Sequence, residues 1–107
     1  MKKSIEIIIH HSEVSEKAIE KYLTEQVRSI GGLCLKYFNP NIAGCPDRLV
    51  LLPHGKMCWV ELKSKGKKPT KLQTLRHRQL TDMGFEIHVV SSRTQVDELV
   101  NVWRAGR

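Results

Sequence analysis

Residues 44–63 read Gly-Cys-Pro-Asp-Arg-Leu-Val-Leu-Leu-Pro-His-Gly-Lys-Met-Cys-Trp-Val-Glu-Leu-Lys. Two largely apolar segments, Arg48 to Leu52 and Met57 to Val60, flank Pro53-His54-Gly55 and read as strands of a β-hairpin, the second running to Leu62. Side chains alternate along a strand, so loop length decides which residues share a face. With a two-residue loop, His54-Gly55, Asp47 faces Leu62 and points away from Glu61. With a three-residue loop, Asp47 pairs with Glu61 on one face. Proline suits the first position of such a turn, and Gly55 suits the left-handed position of a bulged three-residue loop. The second case is therefore expected. It brings Asp47, Glu61 and Lys63 together, with the backbone carbonyl of Leu62 near the same place as a further possible ligand. Two acids and a lysine in this arrangement suit metal-dependent phosphodiester cleavage. The carboxylates hold Mg²⁺ or Mn²⁺, and the cation steadies the attacking water or the developing charge.

The elements around the hairpin follow from periodicity. Ile5 to Ile9 reads as a short strand. Ser15 opens a helix with Ala18, Ile19, Tyr22, Leu23, Val27 and Ile30 at helical spacing, ended by Gly31-Gly32. Leu33 to Phe38 is an alternating strand, and residues 39–46 form a turn-rich loop. After a basic loop from Lys63 to Pro69, Thr70 starts a second helix with Gln73 in capping-box position. Leu72, Leu75, Leu80 and Met83 are its apolar positions, and Gly84 stops it. Phe85 to Val90 is a further strand. Ser92 or Thr94 caps a last helix carrying Val96, Leu99, Val100 and Trp103. The order is β-α-β-β-β-α-β-α: an α/β fold, a mixed sheet flanked by helices.

The chain has 107 residues, which implies a single domain spanning 1–107. Its net charge of +7 and pI of about 9.6 favour an anionic partner such as nucleic acid. Lys63, Lys65, Lys67, Lys68 and Lys71 crowd the segment after the acidic pair, with Arg76, His77 and Arg78 behind. Such a cluster neutralises phosphates without reading bases. Cys34, Cys45 and Cys58 form no C-x-x-C pair, and their odd number points to free thiols in a reducing cytoplasm. No apolar run is long enough to span a membrane. The histidines show no zinc spacing with the cysteines, and no Gly-rich phosphate loop is present. Gln73 has two compatible roles open to it, capping its helix, which its spacing favours, and hydrogen-bonding the catalytic lysine, the water or a phosphate oxygen. Glu16 and Glu20, one helical turn apart, can each reach a metal from the first helix. Tyr37 and Phe38 are a candidate base-stacking pair.

Gly44-Cys45-Pro46-Asp47-Arg48, then Trp59-Val60-Glu61-Leu62-Lys63, then Lys68-Pro69 and Gln73, resemble the VRR-NUC nuclease domain of the PD-(D/E)XK phosphodiesterase superfamily. The resemblance runs from about Glu16 to Val100. It implies a restriction-endonuclease-like core (α-β-β-β-α-β), here with an added N-terminal strand and C-terminal helix. It also implies a divalent-metal nuclease. Asp47 and Glu61 match the metal-binding acids, Lys63 the catalytic lysine, and Gln73 the glutamine of the following helix. The family's helical glutamate falls on Glu16 or Glu20, with Glu16 the first choice. Small stand-alone members resemble phage or prophage proteins that dimerise and act on branched DNA, which implies a homodimer in a bacterial or phage-infected cell. The expected protein is a Mg²⁺- or Mn²⁺-dependent endodeoxyribonuclease with no small-molecule cofactor, selective for structures such as four-way junctions. Asp47, Glu61, Lys63, Gln73 and a helical glutamate form its site, and Lys65, Lys67, Lys68, Lys71 and Arg76 bind DNA. A non-cleaving nucleic-acid binding module and a flap or single-strand nuclease are the alternatives.

Overall fold

The structure, a computed structural model, describes residues 15–106. The expected strand from Ile5 to Ile9, and any pairing it makes with a second chain, lie outside the described residues. Within them the order is α1 (Glu16–Ser29), β1 (Leu33–Lys36), β2 (Arg48–Leu52), β3 (Lys56–Leu62), α2 (Lys71–Asp82), β4 (Ile87–Val90) and α3 (Arg93–Ala105). The four strands form one sheet in the order β1-β2-β3-β4. The first two pairings are antiparallel and β3–β4 is parallel, with α2 in the crossover.

Local chemistry sets the ends of the elements. The Ser15 hydroxyl accepts the Ala18 N–H at 3.1 Å and caps α1. Gly31 (φ 86°) then leaves the helix. Its N–H bonds the Arg28 carbonyl and that of Gly32 bonds Val27, the paired bonds of a Schellman end. Gly32 needs to lack a side chain for a second reason: a Cβ there would stand 2.6 Å from the Leu51 carbonyl oxygen. The turn Pro53–Gly55 joins Leu52 to Lys56, which pair directly, so the loop has three residues as its chemistry predicts. Both His54 (φ 67°) and Gly55 (φ 74°) are left-handed, whereas the sequence suggested this only for Gly55.

One sheet face, carrying Cys34, Val50, Cys58, Val60, Leu62 and Val90, is covered by Ile19, Leu23, Val27 and Ile30 from the α1 segment and by Val96 and Val100 of α3. The spacing of four between Ile19, Leu23 and Val27 keeps all three on one helical stripe. Alternation sends Trp59 and Glu61 to the other face, where α2 lies.

Three expectations change. Leu33 to Phe38 is a strand only as far as Lys36, beyond which one bond from the Tyr37 N–H to the Asp47 carbonyl ends the pairing. Phe85 to Val90 is a strand only from Ile87, since Phe85 still bonds back to Leu80 at the end of α2. The apolar positions of α2 do not form a core stripe: α2 buries no residue, and Leu72, Leu75 and Met83 are 46%, 64% and 60% exposed. Polar contacts to the site hold this helix instead. Leu23→Ala should therefore cost about 2–5 kcal/mol. Leu75→Ala should stay within about 0.5 kcal/mol. Urea unfolding of the two variants checks the contrast.

Candidate active site

Arg48 pairs with Val60, so Asp47 stands one step further along, opposite Glu61. Asp47 Oδ2 accepts the Leu62 N–H at 2.9 Å, which fixes the carboxylate across the strand end. The Asp47 carbonyl accepts the Tyr37 N–H at 2.8 Å, extending the β1–β2 ladder to the site. Leu62 thus meets Asp47 through its amide.

Glu61 is the one charged residue in the buried class among the described residues, at 1% exposure. Burial first, and then the neighbouring Asp47 carboxylate, push its pKa up from 4.5 to about 8, with Lys63 opposing the shift. Three side chains surround it. Gln73 Nε2 donates to Oε2 at 3.1 Å, Lys63 Nζ lies 3.6 Å from Oε2, and His77 Nε2 lies 3.5 Å from Oε1. Neither Oε1 nor His77 Nε2 makes a hydrogen bond, although both are buried. Burial also lowers the His77 pKa, favouring the neutral ring.

Gln73 caps its helix as its spacing predicts, and its side-chain nitrogen bonds Glu61 rather than the lysine, water or phosphate expected of it. Its Oε1 accepts the Thr70 N–H at 2.9 Å while Thr70 Oγ1 accepts the Gln73 N–H at 3.1 Å. This capping box aims the amide nitrogen at Glu61. His77, expected only to touch phosphate, sits on Glu61 instead. The signal for this was its spacing of four from Gln73, which puts both on one helical face.

Two carboxylates side by side repel unless a proton or a cation separates them. The buried Oε1 of Glu61 accepts no hydrogen bond, and Asp47 supplies another hard oxygen beside it. That donor set fits Mg²⁺ or Mn²⁺. The helical acids are placed differently. Glu20 Oε1 pairs with Arg48 Nη2 at 2.9 Å, and Arg48 Nη1 donates to the Cys34 carbonyl at 3.2 Å. This network uses the face of β2 opposite the one Asp47 uses. Glu16 lies exposed in the first turn of α1.

The basic side chains frame the site. Lys65, Lys67, Lys68 and Lys71 are exposed. Arg76 donates from Nε to the Ala43 carbonyl at 3.0 Å and bonds Gln79 at 2.5 Å, so it anchors the loop before Asp47. Gly44 in that loop (φ 83°) lies so close to α2 that a Cβ would meet the Leu72 carbonyl oxygen at 2.8 Å. Tyr37 packs its ring edge-on against Trp59 with centroids 4.9 Å apart, while Phe38 is exposed.

The mixed sheet, its helices and the paired acids define a restriction-endonuclease-like fold. No protein-family model matches the chain. A solved structure described as a VRR_NUC domain superposes with a TM-score of 0.76 at 36% identity, covering 80% of this chain and 94% of that one. "Putative nuclease p44" of Acyrthosiphon pisum secondary endosymbiont phage 1 is 44% identical over 80 residues, which is 75% of this chain and 86% of that protein. The chain belongs to the VRR-NUC family of nucleases. No described helix is long and apolar enough to cross a membrane.

The raised pKa of Glu61 has a definite sign for metal-free protein. Folding favours the protonated acid, so the group imposes no penalty below pH 4.5. The penalty grows as pH rises toward about 8 and is constant above it. In EDTA, Glu61→Gln should gain stability relative to the parent between pH 5 and 8. Urea titrations across that range check this, and a pH-independent difference would contradict the burial argument.

Proposed function

We propose that this protein is a divalent-metal-dependent DNA endonuclease that prefers branched DNA such as four-way junctions and works as a homodimer in the cytoplasm of a bacterial or phage-infected cell. The observation that carries the reading is the Asp47–Glu61 pair with Lys63 beside it and an unbonded buried oxygen on Glu61. Asp47, Glu61 and the Leu62 carbonyl would hold Mg²⁺ or Mn²⁺. A helical acid would complete the set; Glu16 is exposed, and Glu20 would first have to leave Arg48. When bound, the cation supplies a Lewis acid at the scissile phosphate and lowers the pKa of water.

The chain's own groups do the rest. Lys63 places a positive charge where the attacking water loses its proton and the phosphate gains charge. Gln73 holds the Glu61 carboxylate in one rotamer. His77 closes the inner side of that carboxylate against water. Water adds to phosphorus and the 3′-oxygen leaves, so the products carry 5′-phosphate. Lys65, Lys67, Lys68, Lys71 and Arg76 would line the approach of the DNA backbone. Their contacts carry no base information, which suits selection by shape. An isologous dimer would set two such sites about a two-fold axis, matching the symmetry of a junction. Exposed Leu33, Leu35 and Phe38 offer apolar surface for that contact.

Labelled four-way junction, flap and linear duplex, incubated with Mg²⁺, Mn²⁺ or EDTA, test the proposal. Cutting of the junction should need metal. Asp47→Ala and Glu61→Gln should each lower the rate by about 10²–10³-fold or more, with Lys63→Met similar. Preferential cutting of the flap would replace the junction with the flap reading. Tight junction binding without cutting in either metal would favour a binding module. Metal must displace the Glu61 proton, so Mn²⁺ affinity should rise from pH 6 toward 8 and level off above it. Calorimetric titration at several pH values checks the slope.

A further inference from the structure

Three donor-bearing side chains meet on the other side of the sheet. In the parallel β3–β4 pair Val60 lies beside His88, so Cys58 and Glu86 stand together two residues earlier on the same face. The Trp59 N–H bonds the Glu86 carbonyl at 2.8 Å and fixes this end of the pairing. One ligand atom from each of Cys58, Glu86 and His88 lies within 4.8 Å of the other two. His88 Nε2 and Glu86 Oε2 are 3.1 Å apart. Two such ligands on a tetrahedral zinc ion stand about 3.4 Å apart, given Zn–N and Zn–O bonds of roughly 2.0–2.2 Å. His88 Nε2 is buried and its contact with Glu86 is not a well-aligned hydrogen bond. The Trp103 ring lies edge-on to the imidazole, 6.3 Å between centroids.

We propose that Cys58, Glu86 and His88 form a binding site for a thiophilic divalent cation, Zn²⁺, separate from the Asp47–Glu61 site. The donor types decide the ion. A thiolate and an imidazole select zinc over magnesium, whereas the oxygen pair on the opposite face suits the harder cation. Cys58 is buried and Glu86 is 57% exposed in its side chain, so the cluster opens to solvent on the Glu86 side. Three protein ligands with an open fourth position for water complete a four-coordinate ion. Burial, with Glu86 adding to it, pushes the Cys58 thiol up to about 12, so the metal-free cysteine is protonated and its proton passes to buffer when the S–metal bond forms. The bound ion would tie β3 to the segment leading into β4, and through His88 to Trp103 of α3. The site does not depend on the nuclease reading, because it uses none of the same residues.

The test is titration of the metal-free full chain with Co²⁺ as a spectroscopic probe and Zn²⁺ as competitor. One equivalent of Co²⁺ should give thiolate-to-metal charge-transfer absorption that Zn²⁺ removes. Zn²⁺ should also raise the melting temperature. Cys58→Ser should abolish the absorption. It sits in the core, so the surface variant Glu86→Gln and the variant His88→Gln give independent evidence. Each should weaken Zn²⁺ binding by about 10–100-fold or more, since partners outside the coordination sphere already cost that much. Asp47→Asn should leave the cobalt spectrum unchanged. Absence of the charge-transfer band in the parent chain would overturn the proposal and leave Glu86–His88 as an ion pair. So would a band that survives in Glu86→Gln and His88→Gln, or one that disappears in Cys45→Ser.

Discussion

Three residues of turn, Pro53, His54 and Gly55, decide which face of β2 meets which face of β3. Because side chains alternate, one residue fewer would set Asp47 against Leu62 and leave Glu61 alone in the interior. With three, Leu52 pairs with Lys56 and the ladder runs in register to Arg48–Val60. Asp47 then arrives opposite Glu61, and the Leu62 amide takes one of its oxygens. Glu61, buried and beside a negative charge, is the member of the pair that takes the proton. The turn thus creates both the geometry and the asymmetry of the two acids.

The second helix depends on the same pair. An amphipathic helix ordinarily docks by burying an apolar stripe. Here α2 buries none of its residues, and its described attachments are polar: Gln73 and His77 on Glu61, and Arg76 on the Ala43 carbonyl. Gly44 lets the loop before Asp47 approach the helix backbone closely. The helix that carries Lys71 and Arg76 is therefore registered to the carboxylates by hydrogen bonds and ion pairs. Charge added at Glu61, by loss of its proton or by a cation, acts directly on what holds α2 in place.

Features set by nearby residues were legible in the sequence. The loop length, the Ser15 cap, the narrowing of the last cap to Ser92 or Thr94, the capping box at Thr70 and Gln73, and the glycine stop of α1 all depend on a few adjacent positions, with Ser92 the cap the structure uses. Asp47, Glu61, Lys63 and Gln73 came together because turn chemistry and a helix cap suffice to align them. What was not legible depends on partners far along the chain. Arg48 takes Glu20, which could not be known without the packing of α1 on the sheet. Leu72, Leu75 and Met83 have apolar spacing, yet nothing local says whether a core lies opposite them. Cys58 and His88 are thirty positions apart, and their adjacency exists only through parallel pairing of β3 and β4.

On the proposed function, a divalent cation is held where β2 begins and β3 ends. Substoichiometric Mn²⁺ added to ¹⁵N-labelled protein tests it most directly, because the ion broadens the amide signals nearest to it. Asp47, Glu61, Leu62, Lys63 and Gln73 should lose intensity first, and Mg²⁺ should restore them by competition. Broadening centred on Glu86 and His88, or spread over exposed acids with the Asp47 and Glu61 signals unchanged, would contradict it.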